Sequence, residues 1–449
     1  MKKLKFLGII ALVALTMVSC KRWINPDINI DPDSPTDASL DLMLPGIEAS
    51  LAYYIGGFDI AGTPAIWMQQ ITGSDRQASA INVYIYRESD PNNLWGSMYA
   101  GVMMDLKTFI AKAEDPAQLS RNVAGVGKVL LALALGNMTD LWGDMPYSEA
   151  FQGGDNLTPA YDSQQDIYTE INNLLTAAID DLGSTDPLEN VFGIENDYIY
   201  GGDPSLWQKA AYTLRARYQM HLAKVQSVNY TNVLSDLANG LSDISEDMEQ
   251  PFDVSASGQN PLYQYVTQRS GYVSNSMTYY GFMEGDSNTY GVVDPRTGVN
   301  DWSGSGFWTA KDAPVAMVQY TEALFLKAEA EWRNGDYAAA RQSLKDAVNS
   351  SMNKYGVSDA TWTTAFEADV DATADADLLE LIINQKYRHM FCQLEAWTDW
   401  RRTGFPQLTP TSGSDIPRRY PYPTDEQLYN SANVPQGVTI FSRVWWDTP

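Results

Sequence analysis

Residues 320–352 read YTEALFLKAEAEWRNGDYAAARQSLKDAVNSSM. From Tyr320 to Trp332, Ala323, Leu324, Lys327, Ala328 and Glu331 recur at intervals of three and four, which predicts an amphipathic helix. Asn334-Gly335-Asp336 turns the chain. Tyr337 to Met352 predicts a second helix, lined by Ala340, Leu344, Ala347 and Val348.

The helical period extends in both directions. Trp95, Tyr99, Met103, Leu106 and Ile110 share one helical face. Asn122 to Asp140 predicts another helix, stopped by Gly143-Asp144-Met145-Pro146. Asp162 reads as the cap of the next, with Gln165 at its third position. Asp203-Pro204 opens a further one that ends at His221, a packed or capping residue. A last helix runs from about Asp375 to Trp400. Trp142, Trp207, Trp332 and Trp397 are expected in the core. Residues 183–204 and 403–449 are turn-rich. Residues 250–318 form a long segment with few helical runs, carrying Tyr263, Tyr265, Tyr272, Tyr279, Tyr280, Phe282, Tyr290, Trp302, Phe307 and Trp308. A loop segment of that length is usually functional or disordered, and its ring content argues for function. The 320–352 unit resembles half of a tetratricopeptide repeat, but no sustained 34-residue period surrounds it.

Composition excludes several functions. The chain of 449 residues holds 56 acids against 30 Lys and Arg, a net charge of −26 that disfavours a phosphate backbone as partner. Two His and two Cys leave little for a zinc site or a disulfide framework. Nucleophile elbow, metal-binding His pair and phosphate loop are all missing, and no catalytic residue, metal or cofactor is expected. Cys392 reads as a small buried residue on a helix face, not as a thiol activated by His389.

The N-terminus carries the most specific local signal. Lys2, Lys3 and Lys5 precede an apolar run from Phe6 to Val18, too short to span a bilayer but right for a secretory signal. No other stretch reads as membrane-spanning. The run closes on Met17-Val18-Ser19-Cys20, which resembles a bacterial lipobox. Residues 1–19 are read as signal peptide, Cys20 as the acylated first residue, and 20–41 as a tether holding Pro26, Pro32 and Pro35. Cleavage removes three lysines and no acids, so the body should stay off an anionic bilayer and hang from its lipid.

Taken in order, several motifs resemble the SusD/RagB outer-membrane lipoproteins of Bacteroidetes, in their shorter branch. They are Gly143-Asp144-Met145-Pro146-Tyr147, Tyr200-Gly201-Gly202-Asp203 with Trp207, Leu214-Arg215-Ala216-Arg217-Tyr218, and Asp294-Pro295-Arg296. Glu322 to Ala330, Gln385-Lys386, Trp397 to Pro406 and Arg419-Tyr420-Pro421 continue the series. The resemblance implies an all-α fold: a tetratricopeptide-like helix-pair scaffold with long irregular ligand-binding loops and minor short strands, as one domain over 42–449. It implies a cell-surface lipoprotein anchored in the outer membrane through Cys20. That protein would bind a nutrient, a glycan or a peptide, and deliver it without catalysis to a SusC-like TonB-dependent β-barrel transporter. Asp144, Pro146, Arg401 and Arg402 are expected to pin helix ends and loops.

A sugar needs aromatic faces and a polar rim. Position points to Trp95, Tyr279, Tyr280, Tyr290, Trp302 and Trp308 as rings, with Arg296 and Asn300 as polar contacts. The competing readings are a transporter lid with no ligand site of its own and a glycoside hydrolase, which needs two opposed carboxylates.

Overall fold

The unit at 320–352 forms two helices, Tyr320–Arg333 and Tyr337–Tyr355, in a computed structural model that describes residues 38–449. The expected signal peptide, Cys20 and nearly all of the tether lie outside the described residues. Gly335 takes φ 81° in the turn, a left-handed conformation that suits a residue without Cβ. The Asp336 carboxylate then caps the second helix by accepting from the Ala339 N–H. Phe325, Ala328, Leu344 and Val348 close on Trp362 and Phe366 of helix Ala360–Ala372 and on Leu378 and Ile382 of helix Leu378–His389.

The same device builds the rest. Arg121–Trp142 packs along Gln164–Leu182, which packs along Pro204–His221, which meets Tyr230–Asn239. Helix Arg121–Trp142 is long and apolar enough to cross a membrane by length and composition, which the sequence reading overlooked; 89% of its apolar window is buried inside the fold. Gly136 lets it close on its neighbour, since a Cβ there would collide with the Tyr218 ring. Trp142, Trp207 and Trp397 are core residues, whereas Trp332 is half-buried and donates its indole N–H to the Asp375 carbonyl at 2.6 Å. The fold is thus all-α in its scaffold.

Two expected boundaries move. Ser163, not Asp162, caps helix Gln164–Leu182, and its hydroxyl accepts from the Asp166 N–H. Asp162 instead accepts from the N–H groups of Tyr147 and Ser148, holding the Gly-Asp-Met-Pro-Tyr loop. The single helix expected over 375–400 is two, Leu378–His389 and Leu394–Thr403. Gln70 makes the break: its amide N–H₂ donates to the Tyr387 and Met390 carbonyls at 3.1 and 3.0 Å, and its carbonyl accepts from Cys392 N–H at 2.8 Å. Cys392 lies at this break with φ 52°, not on a helix face; it is buried, and burial pushes its thiol well above the usual range. The imidazole of His389, likewise buried, is pushed down instead.

Two short antiparallel ladders organise the loops. Strand β1 (Ile71–Gly73) pairs with β3 (Val273–Asn275), and β2 (Met248–Gln250) pairs with β4 (Val315–Val318). The second ladder clamps the start of the 250–318 segment beside its end. Within the segment, where the sequence predicts few helical runs, lie three short helices, Pro261–Gln268, Met277–Glu284 and Asp286–Tyr290.

Candidate functional site

The ladder of β1 with β3 brings the long segment against the N-terminal part of the chain, and a recess of about 200 Å³ opens between them. One wall comes from Tyr53 and Tyr54 at the end of helix Leu40–Ile55 and from Phe58 and Asp59 in the π-helical turn that follows. The other comes from helix Pro261–Gln268, capped by the Asn260 carboxamide, whose side chain accepts from the N–H groups of Leu262 and Tyr263. That cap and Pro261 fix the helix start. Successive turns then carry Gln264, Tyr265 and Gln268 to the recess, with Arg269 just beyond, and Gln77 closes the rim.

Two features mark the recess as built to meet something. The Tyr265 ring stacks on Phe58 at 3.7 Å between centroids with planes 5° apart, and Trp302 backs both rings at 6.3 Å. The Tyr265 hydroxyl is buried beside the Gln77 side chain, the nearest group able to hydrogen-bond it, and meets no other partner among the described residues. Burial raises that hydroxyl to about 12, against the pull of Arg269 and a hydrogen bond with Gln77. Arg269 itself lies over the Tyr265 ring at 5.1 Å. Its guanidinium makes neither hydrogen bond nor ion pair among the described residues, in a chain whose other arginines are mostly bonded to carboxylates or carbonyls. Asp59 is pushed above the ordinary carboxylate range by the protein around it, with Arg269 pulling the other way. Beyond the rim, Arg76 covers Tyr272 at 5.5 Å, extending the ring-and-guanidinium surface along the ladder.

The residues singled out from sequence are placed mostly elsewhere. Tyr279 is fully buried, donates to the Arg388 carbonyl at 2.7 Å and packs on Tyr387 and Phe391. Arg296 is fully buried; it binds Asp294 through two nitrogens and reaches Gln385 and Ser351. Burial alone would raise Asp294, but Arg296 and Arg388 outweigh it and hold the carboxyl down at about 2. Asn300 is buried against the Tyr355 hydroxyl, and Trp308 is buried with its indole N–H on that same oxygen. Trp95 packs on Trp142 at 5.1 Å inside the scaffold. Tyr290 is half-buried on Trp362 and bonds Asp369, and half-buried Tyr280 bonds the Asn300 carbonyl. As placed, Tyr279, Arg296 and Asn300 offer no face to a solute, because the long segment uses its largest side chains to attach itself; Trp95 is packed inside the scaffold, and Trp308 lines a separate narrow cavity beside Gly56 and Cys392. Only Trp302 touches the recess, from behind.

The recess residues that the reading missed are Tyr53, Phe58, Asp59, Gln77, Gln264, Gln268 and Arg269. Tyr265 stood among the noted rings without being chosen. A signal was present in the polar stripe Gln264, Gln268 and Arg269 beside Tyr265, directly after an Asn-Pro cap.

The motif residues are structural, as expected. Asp144 accepts from the Gln164 N–H at 2.8 Å, and the Pro146 carbonyl accepts from the Tyr99 hydroxyl at 2.7 Å. Arg401 donates to the Asp140 and Arg418 carbonyls, and Arg402 binds Glu329 and Asp399. One cluster of Asp140, His221 and Glu395 brings three buried ligand atoms within 4.8 Å of one another. These atoms are spent on each other and on Tyr168 and Trp446. Burial would lower His221, but Glu395 and Asp140 outweigh it and raise it to about 9, so the cluster is a buried charge network.

Stacked helix pairs that carry a loop-built, ring-walled recess define an all-α scaffold protein with one specialised face. The chain belongs to the SusD-like family described as starch-binding and associating with the outer membrane, matched over residues 59–423. A SusD/RagB family protein of Bacteroides thetaiotaomicron is similar at 25% identity and TM-score 0.78, over 92% of this chain and 99% of that one. A chitin-binding SusD homologue of Flavobacterium johnsoniae is similar at 21% identity and TM-score 0.71, over 90% and 98%. A SusD homologue of Bacteroides uniformis is similar at 18% identity and TM-score 0.73, over 92% and 100%. No curated protein matches the chain.

Proposed function

We propose that the chain captures a soluble glycan in the Tyr265 recess and hands it to a SusC-like TonB-dependent β-barrel, without chemistry of its own. In this reading the protein sits at the cell surface, anchored in the outer membrane through acylated Cys20. The observation that carries it is a recess walled by rings, in which the Arg269 guanidinium makes no hydrogen bond among the described residues and the buried Tyr265 hydroxyl has only the exchangeable Gln77 amide beside it. Sugar hydroxyls satisfy such groups, and C–H faces pack on rings such as half-exposed Tyr53. Gln77, Gln264 and Gln268 add amides that both donate and accept. Arg269 is held over Tyr265 by its ring contact and by attraction to Asp59, with no hydrogen bond or ion pair at short range among the described residues, so a ligand can displace it at modest cost. Asp59 is the one carboxylate lining the recess, whereas glycoside hydrolysis needs two. Membership of a family described as starch-binding supports the same ligand class.

Calorimetric titration of the chain from Lys21 with oligosaccharide and peptide panels tests this, repeated with Tyr265→Ala and Arg269→Ala. The expected result is binding of an oligosaccharide without release of reducing ends, weakened about tenfold or more in each variant. Binding of peptides alone would replace the ligand class. Binding that both variants keep would move the site. No binding, with co-purification of the barrel retained, would favour a lid without its own ligand.

A further inference from the structure

The basic side chains of this acidic chain are nearly all committed. Among the described residues, only Arg87, Lys107, Arg269 and Lys311 make neither hydrogen bond nor ion pair through the side chain, and of these Arg269 lines the Tyr265 recess. A second guanidinium stands on the same rim. Arg76 precedes Gln77, a lining residue, and lies over Tyr272 at 5.5 Å. Its ion pair with Asp75 is long, at 3.8 Å, and exposed on both sides, so that pair adds little. Backbone hydrogen bonds tie the two arginine-bearing turns together. The Ser74 and Asp75 N–H groups donate to the Tyr272 carbonyl at 2.7 and 3.1 Å, and the Tyr272 N–H donates to the Arg269 carbonyl at 3.1 Å. Arg76 holds φ 46°, a left-handed conformation that residues with a Cβ rarely adopt and that is found most often at functional sites.

Each guanidinium is thus a planar fork of N–H donors resting on a tyrosine face, with no carboxylate at hydrogen-bond distance. A neutral sugar seated over Arg269 would strip its water and return hydrogen bonds but no charge, which leaves a desolvated cation uncompensated. A carboxylate or a sulfate ester returns both, through two parallel N–H···O bonds. Asp59, the one carboxylate lining the recess, does not fill that role. It attracts Arg269 from beyond ion-pair distance, and its surroundings push it toward its neutral form. The net charge of −26 does not forbid an acidic ligand. Acids beyond a Debye length of about 8 Å are screened at physiological salt, while a fork in contact is not. We propose that the recess selects an acidic oligosaccharide, whose uronate carboxylate or sulfate ester pairs with Arg269 while Arg76 attracts a second such group along the sugar chain. The inference rests on the reading of the recess as a glycan site.

Calorimetric titration of the chain from Lys21 with matched pairs tests this: oligogalacturonates against their methyl esters, and sulfated galacto-oligosaccharides against their desulfated counterparts. An acidic member is expected to bind at least about tenfold more tightly than its neutral counterpart, and the pair that shows the difference names the group. In Arg269→Gln with Arg76→Gln, helical circular dichroism is expected to be unchanged and the preference to fall below about threefold. Tyr265→Ala is expected to weaken acidic and neutral members alike. Equal binding of the two members, still lost in Tyr265→Ala, would overturn the acidic class and keep the recess. A preference that the arginine variant retains would also overturn it, since the charged group would then be recognised elsewhere. Absence of oligosaccharide binding, or binding that Tyr265→Ala leaves untouched, would instead remove the recess as a glycan site and this inference with it.

Discussion

Glu48→Gln should stabilise this protein, by an amount that grows with pH. Glu48 is completely buried on helix Leu40–Ile55. One of its oxygens accepts from the Tyr198 N–H, and the protonated carboxyl can hydrogen-bond the neighbouring Asp197 carboxylate. It faces Asp197, whose carboxylate already accepts from the N–H groups of Ile199, Tyr200 and Gly202 and from the Trp207 indole. Desolvation first, and Asp197 second, raise Glu48 from 4.5 to about 9. Between those values the folded chain holds a proton that the unfolded chain has released. Stability from this site is therefore complete below about 4.5 and is lost as pH rises through about 9. At pH 7 the loss is about 2.5 pH units at ~1.4 kcal/mol each, so roughly 3 kcal/mol. A glutamine keeps the acceptor for Tyr198, can donate to Asp197 and never ionises. Urea unfolding of wild type and variant at pH 5, 7 and 8.5 gives the comparison. The two should differ least at pH 5, and the variant should lead by roughly 3 kcal/mol at pH 7 and by more at 8.5. Parallel stability curves across that range would refute the reasoning, because a buried ionising Glu48 cannot leave the pH dependence unchanged.

His221, raised to about 9 between Glu395 and Asp140, contributes stability that is full below 6.5 and lost by about 9; with His221→Gln, the gap to wild type in urea midpoints should shrink by roughly 3 kcal/mol between pH 6 and 9. Arg402→Met leaves Glu329 buried with Arg333 as its remaining cation, and should cost about 3 kcal/mol in denaturant unfolding at neutral pH; an unchanged midpoint would contradict the pairing. Gln70→Ala removes three hydrogen bonds from the break between the last two long helices and should cost about 1–3 kcal/mol. Hydrogen exchange at Cys392 should rise with it, and unaltered exchange would show that the break holds without Gln70.

What could be read in the sequence was local. Helix periodicity at 122–140 and 320–352, the Asp203-Pro204 start and the Gly143 stop all depend on neighbours within a few residues, and they formed as read. The break at Cys392 depends on Gln70, which lies far away in the chain, so no window around 375–400 contains its cause. The same limit governed the recess. Its aromatic residues looked like a binding surface as a group, but composition does not say which rings turn inward. Tyr279 and Trp308 turned inward because they find partners at Arg388 and Tyr355, each remote in sequence. Tyr265 turned its ring on to Phe58, remote in sequence, and the group nearest its hydroxyl, Gln77, is equally remote.

The ladder of β2 with β4 places Gln250 directly opposite Val315. The whole excursion between them thus leaves and rejoins the scaffold at one point, like a cassette in a slot. In principle a hairpin turn of two residues could close that slot. The cassette is nevertheless pegged at its far end, through Tyr279 on the Arg388 carbonyl and Asp294-Arg296 on Arg388 and Gln385. Its tip near Tyr265 is free of those pegs. A graft that keeps the slot, the pegs and the β1–β3 ladder and rewrites only the recess-facing positions Gln264, Gln268 and Arg269 would change the solute-facing surface while leaving the helical frame its contacts.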